Sequence, residues 1–323
     1  MMQRKIKWGV LGAAKIGRTK VIPAMQKGEL CEIVAIASRD EKRARETAHE
    51  LGIPKAYGSY DRLLGDPEVE AVYIPLPNHL HVPWSIRAAQ AGRHVLCEKP
   101  IGLSVAECRA LIEVRDSTGV KIGEAFMVRT HPQWLRAREI VRSGEIGELL
   151  AITGAFSYYN RDPQNIRNIP DWGGGALMDI GCYPIQISRF LFGEEPVRST
   201  GAIQRDPEFG IDRLTSGLLE FRAGHSVFTC STQMVPYQRV HMLGSKARID
   251  VEIPFNAPPD RPSRIFIDDS KEIRTEQFEA CDQYTIQGDL FSKAILEGGE
   301  VPTPLEDSLG NMAVIEALFA SAG

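Results

Sequence analysis

The chain has 323 residues, 43% hydrophobic and 25% charged, the balance of a globular protein rather than a disordered, collagen-like or disulfide-stapled one. Its 38 basic and 42 acidic residues leave a formal charge of −4, so it carries no electrostatic footprint for nucleic acid or for an anionic membrane surface. At roughly 100–200 residues per domain, two domains are expected.

The N-terminus is basic but runs directly into a strand-like segment, with no signal-peptide stretch, and no apolar run approaches the roughly 20 residues of a membrane span. A cytoplasmic protein is expected. Residues 6–11 are nearly all apolar and read as a buried strand, followed by a glycine-containing turn and a helix over 16–27. Strands at 33–37, 71–74, 94–97 and 121–127 then alternate with helices at 41–51, 60–64, 82–91 and 105–117. Strands separated by such helices build a parallel sheet covered on both faces.

The pattern changes near residue 128. A helix over 132–143 is placed between two domains, 149–157 alternates like a half-exposed strand, 160–172 is a polar loop, and 176–192 is helical. Successive strands follow at 217–221, 226–232, 240–243, 248–253 and 264–267, and helices over 285–297 and 305–321 close the chain. The expected fold is α/β. A doubly wound parallel sheet occupies 1–127, with the last helix, 305–323, packing back on it; a second α/β domain, 128–304, holds a large, mostly antiparallel open sheet.

The six cysteines form no CxxC pair and none lies at metal-ligand spacing from a histidine, so they read as reduced thiols and no metal is expected. HExxH, GxSxG and Walker A motifs are absent, which removes support for zinc hydrolase, serine hydrolase and P-loop chemistry.

Four segments carry chemistry. Gly12-Ala13-Ala14-Lys15-Ile16-Gly17 lies between the first strand and the first helix, where free amides and the helix dipole accept a dinucleotide pyrophosphate. At the end of the next strand an NAD site places a carboxylate; here Ser38 and Arg39 suit a 2′-phosphate, so NADP is expected, with NAD the alternative should Asp40 turn inward. Glu98-Lys99-Pro100 follows the strand 94–97, at the carboxyl end where such sheets bind ligands. In Gly173-Gly174-Gly175-Ala176-Leu177-Met178-Asp179-Ile180-Gly181-Cys182-Tyr183, Asp179 and Tyr183 are four apart on a helix, and the glycines leave room for a ligand at its start.

Together with Pro77-Asn78-His79-Leu80-His81, these segments resemble, over essentially the whole chain, the NAD(P)-dependent sugar oxidoreductases named after glucose–fructose oxidoreductase and inositol 2-dehydrogenase (Gfo/Idh/MocA). The closing Tyr183 resembles the branch with glucose–fructose oxidoreductase, aldose (xylose) dehydrogenases and dihydrodiol dehydrogenase, where other members carry histidine. The resemblance implies a Rossmann domain first, then an open-sheet domain that pairs subunits into a homodimer or homotetramer. It implies that Lys99 stands near substrate and nicotinamide, that Asp179 hydrogen-bonds substrate, and that Tyr183 is the acid/base. It places Leu76, Pro77, Asn78, His81, Glu98, Arg167 and Trp172 along the cofactor.

Arg129, His131 and Asn165 are candidates for the substrate cleft, with a satisfied structural histidine the alternative for His131. Tyr158 and Tyr159 read as sheet packing. The expected reaction is hydride transfer at a sugar or polyol carbon. A free tyrosine titrates near 10, so an ammonium from Lys99 is needed to favour the phenolate. Competing readings are a carbonyl reductase or trans-dihydrodiol dehydrogenase on the same groups, transient oxidation on a retained NAD, and an NADP-binding regulator without chemistry.

Overall fold

The computed structural model describes residues 4–322; residues 1–3 and 323, which the sequence pattern assigns to the first domain, lie outside the described residues. The chain divides into two compact units, one running to Met127 and including Asp282–Leu309, the other Val128–Cys281 with residues from Gly310 onward.

The first unit is built on β1 (Ile6–Leu11), β2 (Cys31–Ala37), β3 (Lys55–Tyr57), β4 (Ala71–Ile74), β5 (His94–Cys97) and β6 (Ile122–Glu124). All pairings are parallel, in the order β3-β2-β1-β4-β5-β6. The order reverses between β1 and β4, which makes the crevice beyond their carboxyl ends the ligand position of this architecture. Both faces are covered, so Ile6, Trp8, Val10, Ile36, Val72 and Leu96 are all buried. β3 escapes the sequence pattern because three half-buried residues leave no periodicity to read.

The helix Gln283–Glu297 belongs to this unit. Trp8 stacks 5.6 Å from Phe291 and donates its indole N–H to Ser292, while Asp289 accepts the amides of Glu29 and Leu30. The sequence pattern places this helix in the second domain. Apolar periodicity shows that a helix has a buried face, not which core receives it.

The second unit carries β7 (Leu149–Tyr159), β8 (Arg198–Arg205), β9 (Asp212–Glu220), β10 (His225–Ser231), β11 (Gln233–Gly244), β12 (Arg248–Val251), β13 (Ser263–Asp268) and β14 (Ile273–Phe278). They run β14-β13-β12-β11-β7-β10-β9-β8, antiparallel throughout except where β7 meets β10. The edge strands β8 and β14 are mostly exposed and polar, which hid them in the sequence. The helix Cys182–Phe192 covers one face, with residues from Cys182 to Leu191 buried. The helix Pro132–Ser143 packs within this unit, where Trp134 donates to the Pro254 carbonyl. Residues from Gly310 onward also lie in this unit, where the pattern reading puts them against the first domain. Asn311 donates to the Cys182 carbonyl, and Leu318 packs against Gly201 of β8.

Candidate active site

In the first unit, β1 ends at Leu11 and the chain turns through Gly12, whose φ of +114° only glycine adopts without strain. A Cβ there would come within 2.8 Å of Leu76, so the turn lies flat on the loop after β4. Helical geometry starts at Lys15. The first amides of a helix have no intrahelical acceptor, which leaves the loop of residues 12–17 able to hold a diphosphate.

At the end of β2, Ser38 is buried and its hydroxyl accepts from the Asp40 amide at 3.2 Å. Asp40 is exposed. Its carboxylate caps the helix Glu41–Leu51, accepting from the amides of Lys42 and Arg43 at 2.9 and 3.3 Å. Arg39 lies near Tyr60, whose phenol is held above its ordinary range by burial. Arg43 donates to the Ala13 carbonyl at 3.1 Å, which brings a second guanidinium to the glycine loop. Sequence reasoning missed Arg43 and Tyr60; the signal for Arg43 was its place on the first turn of the helix after Ser38.

Glu98 accepts from the hydroxyl of fully buried Tyr73 at 2.7 Å, and this anchors the turn that carries half-buried Lys99. The Lys99–Pro100 peptide bond is cis. Leu76 is buried, and Pro77 and Asn78 are half-buried beside it. His81 is fully buried, and its two ring nitrogens each lie 2.7 Å from a carbonyl oxygen, Pro100 and Leu76. Burial holds it down to about 4 against those two acceptors, so the ring is neutral and donates to one of them. Its place is thus to tie the Lys99 turn to the loop after β4 through backbone.

In the second unit, Asp179 lies in a widened π-type turn, Leu177–Gly181, that leads directly into the helix Cys182–Phe192. Its Oδ2 accepts from the Tyr158 hydroxyl at 2.6 Å and from Arg167 Nε at 2.8 Å. The Asp179 charge holds the Arg167 guanidinium firmly protonated. Burial, and then Asp179, push the Tyr158 phenol far above its ordinary range, so it serves as a neutral donor. Tyr183 is 5% exposed, with Phe156 edge-on at 5.6 Å and Phe255 at 5.4 Å. Arg167 therefore serves as partner to Asp179. Tyr158, read from the sequence as packing, is the second partner; its signal was register, since it shares the inward face of β7 with Phe156.

Asn165 accepts the Arg167 amide and so shapes the loop. Trp172 is 37% exposed. The Arg129 guanidinium stacks 4.9 Å over Phe190. His131 is buried, caps its helix by accepting the Gln133 amide, faces Cys281 at 3.6 Å and is held by burial down to about 4. The glycines before Asp179 meet protein: a Cβ on Gly174 would lie 2.6 Å from the Arg167 carbonyl, and one on Gly175 would lie 1.9 Å from Asp212. Among the described residues no group of three or more His, Cys, Asp or Glu side chains is placed to hold a metal ion, and no helix is long and apolar enough to cross a membrane.

Two stretches of the chain match known domain families. Residues 6–126 match the GFO/IDH/MocA oxidoreductase family with NAD-binding Rossmann fold, and 134–250 match the GFO/IDH/MocA C-terminal domain. An oxidoreductase of Rhizobium meliloti is 49% identical over 98% of this chain and 97% of its own. The NADP(+)-dependent D-xylose 1-dehydrogenase 2 of Haloferax volcanii is 41% identical, over 98% and 97%. Among solved structures, a 3-ketoreductase from Actinomadura kijaniata in complex with NADP and TDP-benzene superposes with a TM-score of 0.93 at 28% identity, covering 98% of each chain.

Proposed function

The chain belongs to the GFO/IDH/MocA family of NAD(P)-dependent oxidoreductases, and from that premise we propose that it moves a hydride between NADP and a carbinol or carbonyl carbon of a sugar or polyol. The observation that carries the reading is the Asp179 constellation. A carboxylate held by Arg167 and Tyr158 stands one turn before a buried tyrosine on the same helix. A D-xylose 1-dehydrogenase and a dTDP-linked deoxyglucose 3-reductase among the relatives support a sugar as substrate.

The residues present fit a phosphorylated dinucleotide. Gly12 keeps the first turn flat, and a Cβ there would run into Leu76. The amides of residues 13–17 would hold the diphosphate. Ser38, Arg39 and Arg43 would hold a 2′-phosphate, with the Asp40 carboxylate engaged in its cap. When bound, the nicotinamide supplies or takes the hydride.

Asp179 accepts from substrate hydroxyls and, being fixed on both sides, sets where the reacting carbon stops. Tyr183 takes the hydroxyl proton during oxidation and returns it to a carbonyl during reduction. The Lys99 ammonium favours the phenolate of Tyr183. The open sheet is proposed to pair subunits into a homodimer or homotetramer, supported by apolar side chains exposed on it, Val227 and Leu243 among them.

An aldose panel with NADP and NAD, read by NADPH absorbance, tests the activity. Tyr183→Phe and Lys99→Ala are expected to lose about 10²–10⁴-fold in kcat while keeping NADP affinity. Near-normal kcat in both would remove the acid/base assignment, and a panel without turnover would remove the substrate class.

A further inference from the structure

Asp212 opens β9 and is 2% exposed. Its Oδ2 accepts the Leu177 amide at 2.7 Å and the Thr215 hydroxyl at 2.9 Å. Leu177 begins the widened turn that holds Asp179, and the helix bearing Tyr183 follows without a break. The amides at such a start lack partners within the helix. Here a side chain 35 residues along the chain supplies the acceptor. Its other oxygen, Oδ1, lies only 1.9 Å from where a Cβ of Gly175 would be. Any side chain at 175 would displace the carboxylate, and the φ of +119° there already calls for glycine. The last of the three glycines before the turn and the carboxylate thus form one device.

We infer that Asp212 is a positioning residue for the reaction: it fixes the turn bearing Asp179 and the entry to the helix bearing Tyr183. The inference rests on the reading that Asp179 and Tyr183 act on substrate. Burial pushes the Asp212 carboxyl up from 3.8 to about 6, against the hydrogen bonds from Leu177 and Thr215 and the charge of Arg205 on β8. Cys230 on β10 feels both Asp212 and Asp179 and is kept a neutral thiol by burial.

The sign follows from proton binding. Between 3.8 and about 6 the folded chain holds a proton on Asp212 that the unfolded chain releases. Ionisation therefore weakens the fold as pH rises through about 6, and this penalty stays in full above it. The same ionisation strengthens the cap, because a charged acceptor binds an N–H more tightly than a neutral one.

Asp212→Asn keeps the shape and removes the charge; Thr215→Val removes one partner and leaves the charge. Both are compared with wild type by kcat and KM across pH, by thermal midpoint across pH, and by hydrogen exchange of the residue 176–183 amides. Asp212→Asn should lower kcat by about 10- to 10²-fold with KM for NADP unchanged, and should lose an acid limb that wild type shows near pH 6. Its midpoint relative to wild type should improve as pH rises from about 5 to 8, and the Leu177 amide should exchange faster. Thr215→Val should shift the acid limb to higher pH. A pH-independent loss of midpoint with kcat intact, or unchanged Leu177 exchange in Asp212→Asn, would overturn the inference. A wild type without aldose turnover sinks the substrate reading instead, and exchange and melting still decide the cap.

Discussion

On the proposed reading Asp179 meets the substrate, and such a carboxylate must not swing. Asp179 has its Oδ2 held from two sides, by a guanidinium and by a phenol that stays neutral. Tyr158→Phe removes one donor and leaves the ring, so kcat is expected to fall about tenfold with little change in fold, since a net hydrogen bond to a charge is worth about 1.5–3 kcal/mol. Arg167→Ala leaves a buried charge without its ion partner and should cost more in both kcat and melting temperature. Equal effects of the two would contradict the division of labour. Two buried histidines set the acid response. His81 and His131 are held down to about 4, so each is neutral in the fold and charged in the unfolded chain between about 6.5 and 4. Stability from them is lost as pH falls through that window, opposite in sign to Asp212. A melting temperature that stays flat from pH 7 to about 4.5 would contradict it. Motif spacing brought out Lys99, Asp179 and Tyr183. It gave no sign of Asp212, because a partner 35 residues away leaves no local signature.

At the scale of elements, the cap of the helix Glu41–Leu51 separates two roles for one aspartate. Asp40 accepts two amides at that helix start. Asp40→Ala should therefore cost about 1 kcal/mol in urea unfolding and leave the ratio of NADP to NAD turnover unchanged. A marked gain in NADP preference would show that the carboxylate had been facing the ribose. The parallel strands β1, β2, β4 and β5 were readable because each is a short apolar run between helices, and β10 and β12 because they alternate. β8 and β14 were not, since edge strands bury too little to impose a period. The widening of the helix at Leu177–Gly181 was invisible as well, because its apolar positions fit an ordinary helix.

At the scale of the whole molecule, the chain divides into two compact units near residue 128, where the period of the sequence pattern changes, and the pattern does not say which unit the later helices join. Each helix after β14 shows an apolar face, and which core it joins is a long-range matter settled by shape. Phe291 tests this directly. It packs on Trp8 under the strand that leads to Gly12. Phe291→Ala should destabilise the protein by about 3–5 kcal/mol. NADP in excess should restore part of the loss, about 2.7 kcal/mol at a hundred times Kd. Failure of NADP to raise the melting temperature of the variant would argue against a cofactor site on this unit.

The indole of Trp8 finds its neighbours at residues 291 and 292, almost the full length of the chain later. At 5–20 residues per second, a ribosome needs on the order of tens of seconds to deliver them. Through that interval the nascent nucleotide-binding half shows an uncovered apolar flank to the cell. The polypeptide is made from its first strand onward, yet that strand is sealed by nearly the last helix to emerge, so chaperone capture during translation should fall on the earliest part of the molecule.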